Sequence, residues 1–391
     1  MSATLDRPAA VEPIRVRVTR SSRPARWTLL AVAAVVGVLA YLPYLAYSGT
    51  TDTLTNFFIL LTMASMWNLL AGYAGMVSVG QQAFVGLGAY IVLILAQQGV
   101  EPFLAIPLAT IGCAVLAFPI SLLVFRLRGG YFAIATWVVA EVCLQVVSRF
   151  RSLGGGTGAP LPGLAGFDPT LRTAVTYWAS LAVAVIALAA TYLLLRGRLG
   201  LVLTAVRDNE VGARNLGARV SLAKRIVFLV AAAGCGAAGS LVIVSQLNVQ
   251  APAAFTVQWS AEMIFITVIG GIGTIEGPIV GTIVFFALQQ TLSEHGALYL
   301  IIVGLVAVVV AIWAPRGLWG LIGGRLRLRL FPVGYWLVTP SGDPPTGRTL
   351  RSSSGPPPGV DGDGAQGPGH GDSGRDHPGD DRVEGGMPDE R

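Results

Sequence analysis

Three groups of residues in this chain have types and spacing that could do chemistry, and none has the pattern of a bond-making enzyme. Glu141 lies near the middle of the apolar run Tyr131–Ser148, where an ionised carboxylate costs several kcal/mol unless it is paired or hydrated. It could meet an ammonium group on a solute, or it could be protonated and tie two helices together by a hydrogen bond. The second group is the stretch Asn68-Leu-Leu-Ala-Gly72-Tyr73-Ala-Gly75-Met-Val-Ser78-Val-Gly80-Gln81-Gln82-Ala-Phe84, which places amides, hydroxyls and helix-weakening glycines at membrane depth. Irregular backbone there is tolerated only when it is buried in protein or faces a watery cavity. Asn68, Tyr73, Ser78, Gln81 and Gln82, with Glu141, are therefore candidates for the lining of a translocation path beside a broken helix; a kink without solute contact is the alternative.

The third group is Arg207-Asp208-Asn209-Glu210, followed by Ala213 and Gly217, in an arginine-rich polar loop. Asp208 or Asn209 can cap a short helix, Glu210 suits its positive end and Gly217 can terminate it. About two turns of helix would then form a compact knob for docking a partner. Glu262, just after Ser260, reads as a carboxylate stabilising a helix N-terminus.

Other chemistries are excluded by what the chain lacks. Paired carboxylates, histidine clusters and nucleophile–base spacings do not occur in the apolar runs, and His295, His370 and His377 lie outside them. That leaves little for a membrane-embedded enzyme and only Glu141 and Glu262 for an ion-coupled secondary transporter. Cys113, Cys143 and Cys235 sit in separate apolar runs without metal-ligand spacing and read as small hydrophobes, so no metal site is expected. Among 27 basic residues the only lysine is Lys224, which is followed by Arg225 and lacks a preceding glycine, so it cannot serve a phosphate loop. The Gly270–Gly277 segment does not fit a dinucleotide fingerprint and reads as a turn between two half-spans. Neither a nucleotide-hydrolysing site nor a bound cofactor is expected in the chain.

The elements that must position these residues follow from composition. Of 391 residues, 53% are hydrophobic and 12% charged, against roughly 25% charged in a soluble domain. Runs such as Phe103–Phe125, Ala174–Leu195 and Ile226–Leu247 reach the roughly 20 residues that cross a hydrocarbon core as helix, and they lack the alternation of a membrane barrel. An all-α polytopic membrane protein with about 8–10 transmembrane helices is predicted, with broken or re-entrant segments at Glu262–Ile272 and Ile275–Gln290. Gly273, Gly277 and Gly281 recur every four residues, as do Ala232, Gly236 and Ser240, a spacing that lets helix backbones approach closely.

Arginines set the orientation. Residues 1–27 form a basic segment, the loop 196–225 is basic again, and Arg316, Arg325, Arg327 and Arg329 follow the last run. The positive-inside rule places all three in the cytoplasm, topogenic signals being a better account of them than nucleic-acid binding. The transmembrane domain is predicted at 28–324, and 325–391, rich in Gly, Pro, Asp and Ser from Thr339 onward, as a disordered cytoplasmic tail.

Four blocks resemble one known family, the LivM-type permeases of branched-chain amino-acid ABC importers. They are Asn68–Tyr90, Leu127–Thr136 with Ala140-Glu141, Gly197–Gly200 with Ala205–Gly217, and Val268–Gly281, in the family's order across roughly Leu54 to Gly320. The resemblance implies a subunit in a prokaryotic cell membrane beside a second, LivH-like permease, two LivG/LivF-like ATPases that hydrolyse ATP, and an extracytoplasmic solute-binding protein. It implies that Arg207–Gly217 is the coupling helix, although Gly212 stands where a small alanine is usual. Relatives of the family carry urea, amides and other small polar solutes, so the substrate is open at this stage. The tail after Thr339 departs from the family pattern.

Overall fold

The computed structural model describes residues 17–19, 23–45, 48–155, 157–164, 166–292, 297–314, 316–326 and 336–338. All fall within the first of two compact units, 1–340 and 341–391. Most of the predicted N-terminal segment and tail, with His295, His370 and His377, lies outside the described residues. One part of the predicted tail is corrected: Trp336–Val338 forms a short strand paired antiparallel with Arg17–Thr19.

The protein is all-α and polytopic. Helix α1 (Arg23–Tyr41) is followed by α2 (Ser48–Asn68), α3 (Gln82–Gln97), α4 (Pro102–Val124), α5 (Gly130–Arg149) and α6 (Pro169–Arg196). Two short helices, α7 (Arg198–Asp208) and α8 (Glu210–Asn215), make the polar knob; then come α9 (Val220–Gln246), α10 (Ala251–Ala254), α11 (Val257–Gly270), α12 (Glu276–Leu292), α13 (Ala297–Trp313) and α14 (Gly317–Leu326). Among the described residues seven helices are long and apolar enough to cross a membrane. The apolar stretches Leu30–Tyr44 of α1 and Gln82–Gln97 of α3 are shorter.

Contacts define two ends. Arg207 of the knob reaches Gly72, and Gly72 lies against Gly273, so the C-termini of α2 and α11 share the knob end. At the opposite end Ala159–Pro160 pairs with Asn248–Val249, Gln97 Nε2 donates to Ser152 O, and Trp178 Nε1 near the start of α6 donates to Ala40 O. Passes α1 to α6, α9, α11, α12 and α13 thus alternate in direction. The passes that fall short of the spanning length include α3 and α12, each beginning at a break.

Helix α9 is the hub, packed on α2, α3, α4 and α6. Its small residues allow this: a side chain at Gly236 would meet Cys113, one at Gly239 would meet the main chain of Val85, and one at Gly88 of α3 would meet the main chain of Gly236. Ser240 Oγ donates to Gly236 O at 2.8 Å and lies 3.3 Å from Gly88 O. Interhelical bonds of this kind contribute about 0.6 kcal/mol each, so close packing of main chain stabilises the hub more than they do. The expected stripe on α9 is therefore an interface; the one beginning at Gly273 needs correction. Gly273 is not helical but turns the chain at φ +79°, whereas Gly277 and Gly281 of α12 lie against the main chain of Gly271 and Ile266.

Candidate functional site: the knob and the two helix breaks

The knob forms because its sequence caps itself. Asn209, not Asp208, is the N-cap of α8: its backbone is extended and its Oδ1 accepts from Gly212 N at 2.8 Å. The chain leaves α8 at Gly217, whose φ of +81° disfavours a side chain. Ala213 is buried against Val206 and Val220, fixing α8 to α7 and to the start of α9. Glu210 accepts from Arg214 Nη2 at 2.9 Å and from Lys224 Nζ of α9 at 2.7 Å. The Lys224 hydrogen bond is the main cause that holds the Glu210 carboxyl below the usual glutamate value. Asp208 points outward, 3.4 Å from Arg207 Nε. Leu216 and Val211 are 88% and 66% exposed, an apolar tip on a polar knob.

Both helix breaks expected from the glycines are present, and they meet. Helix α2 ends in a π-helical turn, Leu69–Tyr73, a form that often marks functional sites. The chain then runs irregularly to Gln82, with Gly75 at φ +65°. Helices α11 and α12 are separated by the turn 271–275. Asn68 Nδ2 donates to Thr274 O and Asn68 Oδ1 accepts from Gly273 N, both at 2.8 Å. A side chain at Gly72 would collide with Gly273. Arg207 Nη1 donates to Gly72 O at 3.1 Å, so the knob is bonded through Arg207 to one break and, through Asn68, to the other.

The remaining polar residues of the first break hold its shape. Trp67 Nε1 donates to Ser78 O at 2.8 Å, Ser78 Oγ accepts from Gly80 N and from Gln81 Nε2, and Thr136 Oγ1 accepts from Val79 N at 3.2 Å. Ser260 Oγ of α11 donates to Gln82 Oε1. Asn68, Tyr73, Ser78, Gln81 and Gln82 are all buried, and the bonds of Asn68, Ser78, Gln81 and Gln82 brace the two breaks.

Glu141 stands apart from them. It is exposed on α5 and accepts from Gln145 of its own helix at 3.0 Å; Trp137, Val138 and Val142 beside it also face outward. Among the described residues it ties no second helix. Glu262 also departs from expectation. The cap of α11 is Thr256, and Glu262 lies more than a turn inside the helix, 4% exposed, accepting from Gln258 Nε2 at 2.9 Å. Thr136, Lys224, Ser260 and Thr274 were not singled out by sequence reasoning. Thr136 and Thr274 had a signal, their places in the Leu127–Thr136 and Val268–Gly281 blocks.

A multi-pass helical protein whose broken helices are tied to a polar knob has the build of a membrane permease. Its residues 49–314 match the family described as branched-chain amino acid transport system / permease component, and the chain belongs to that family. It is 28% identical over 310 residues to the high-affinity branched-chain amino acid transport system permease protein LivM of Escherichia coli K12, covering 72% of each chain. It is 27% identical over 308 residues to the LivM protein of Salmonella typhimurium LT2, again covering 72% of each. No solved structure matches.

Proposed function

We propose that the chain is a membrane subunit of an ATP-driven importer of branched-chain amino acids, contributing half of a translocation path. It works beside a second permease, two ATPases and an extracytoplasmic binding protein, the ATP being hydrolysed by those partners and no cofactor being held by this chain. The knob faces the cytoplasm with both termini, and its apolar tip, Leu216 and Val211, docks an ATPase. The observation that carries this reading is the bonded path from Arg207 to Gly72 and, through Asn68, to Gly273 and Thr274. A push on the knob reaches both breaks as one rigid unit, and a change in their packing opens the path to alternate sides. Coupling of this kind requires that the ATPases contact the knob differently in their two states.

The test is leucine uptake in cells lacking their own copy. The full chain with its partners is expected to restore uptake, and pull-down in mild detergent to recover two ATPases and a second permease. Arg207→Ala is expected to lower uptake at least about tenfold at unchanged membrane abundance, and Arg207→Lys to recover little, because the planar fork is lost. Uptake that is driven by an ion gradient and indifferent to ATP would overturn the reading.

A further inference from the structure

At the end opposite the knob a cleft of about 380 Å³ opens between α2, α9, α11 and α12. That volume lies within the range of small-molecule sites, about 300–1,000 Å³. Its wall is unusual for a membrane domain. Asn56, Gln246, Gln258 and Gln289 line it together with Glu262, and only Glu262 among these five is buried. Glu262 sits five residues into α11, roughly 8 Å below the start of that helix, so the carboxylate lies deep and the amides nearer the mouth. Phe286 and aliphatic side chains of α2 supply the apolar part.

The hydrogen bonding is incomplete. Gln258 gives Glu262 one bond, to Oε1; the other carboxylate oxygen has no partner among the described residues. The side-chain amides of Asn56, Gln246 and Gln289 likewise bond to no described residue. Buried polar groups that serve packing alone are normally satisfied within the protein, as both side-chain atoms of Asn68 are at the helix breaks. A buried carboxylate with amides above it and a greasy wall beside it matches a solute that carries an ammonium group, further polar atoms and an apolar side chain.

We infer that this cleft is a solute site within the subunit, in which Glu262 receives the ammonium group of a small apolar amino acid entering from the side opposite the knob. The identity of the solute rests on the proposed function; the recognition of an ammonium group does not. The carboxylate accepts a charge-assisted hydrogen bond that an uncharged amide cannot match, the rim amides meet the carboxylate of the solute, and Phe286 meets its side chain.

The probes are 3-methylbutylamine and 3-methylbutanamide, equal in carbon skeleton and differing in charge, titrated onto the purified full chain in lipid nanodiscs. The amine is expected to bind and the amide to bind at least about tenfold more weakly. Glu262→Gln, nearly isosteric and able to keep the Gln258 contact, is expected to abolish that preference. Glu141→Gln, an exposed carboxylate on α5 outside the cleft, is expected to leave the preference for the amine intact. Equal binding of the two probes to the unsubstituted chain, or an unchanged preference in Glu262→Gln, overturns the site. Leucine uptake separates the two readings. Uptake restored by the unsubstituted chain with no preference for the amine defeats the site alone, whereas amine binding that depends on Glu262 without leucine uptake defeats the proposed substrate and keeps the site.

Discussion

The two ends of this bundle treat polar groups in opposite ways. At the knob end Arg207, Glu210, Asn68 and Asn209 each have protein partners, and the partners join α2, α7, α8, α9 and the turn before α12 into one framework. At the other end Asn56, Gln246 and Gln289 surround Glu262 without bonding to it or to one another. Satisfied networks rigidify, whereas the buried Glu262 carboxylate has one oxygen without a partner among the described residues. In the proposed importer the first end would pass force from the knob to the helix breaks, and the second would leave hydrogen bonds for the cargo.

The comparison breaks most severely at the rigid end. Gly80 is pressed against the carbonyl of Thr136 with no room for a side chain, so Gly80→Val is expected to cost about 3 kcal/mol or more. Little folded protein should remain on fluorescence-detected size exclusion. Gly37→Ala, with nothing near the added carbon, should elute like the original chain. Asn68→Ala is the next step down. It leaves Gly273 N–H and Thr274 C=O without their partner, at about 2 kcal/mol together, and a lower melting temperature in detergent is expected while the protein still inserts. If melting is unchanged, the two breaks are not bonded to each other.

The smallest expected effect is a pH dependence of the knob. Hydrogen bonding from Lys224 lowers the folded-state pKa of Glu210 below its ordinary 4.5. Stabilisation from this carboxylate is thus fully present above that ordinary value and is lost as pH falls through the lowered one. Proteolysis within 198–217 should quicken only across that acidic window, and Lys224→Met should flatten the dependence. Glu210 is partly exposed, so the change should be modest.

Much of the rigid end was legible in the sequence. Glycines and amides in Asn68–Phe84 predicted a broken helix because such residues are costly at membrane depth unless something nearby satisfies them, and the caps of α8 are local, needing only neighbours in sequence. What the sequence left open depended on tertiary packing. Asn209 rather than Asp208 became the cap because α7 runs through Asp208. Glu262 was expected at a helix start because Ser260 precedes it; α11 begins at Thr256, a boundary that short-range pattern does not specify, and this sinks the carboxylate into the cleft. The Gly273–Gly281 spacing looked helical, but its first member turns the chain beside Gly72, a contact more than 200 residues away in sequence. Glu141 lies in a helix of the expected place and length, yet nothing in its own run says which way it faces.

That last orientation bears on the life of the subunit before assembly. A newly inserted copy on its own would hold Glu141 and Gln145 toward whatever surrounds α5. Lipid tails solvate a carboxylate poorly, at several kcal/mol, so a copy whose α5 faces lipid is strained at that helix.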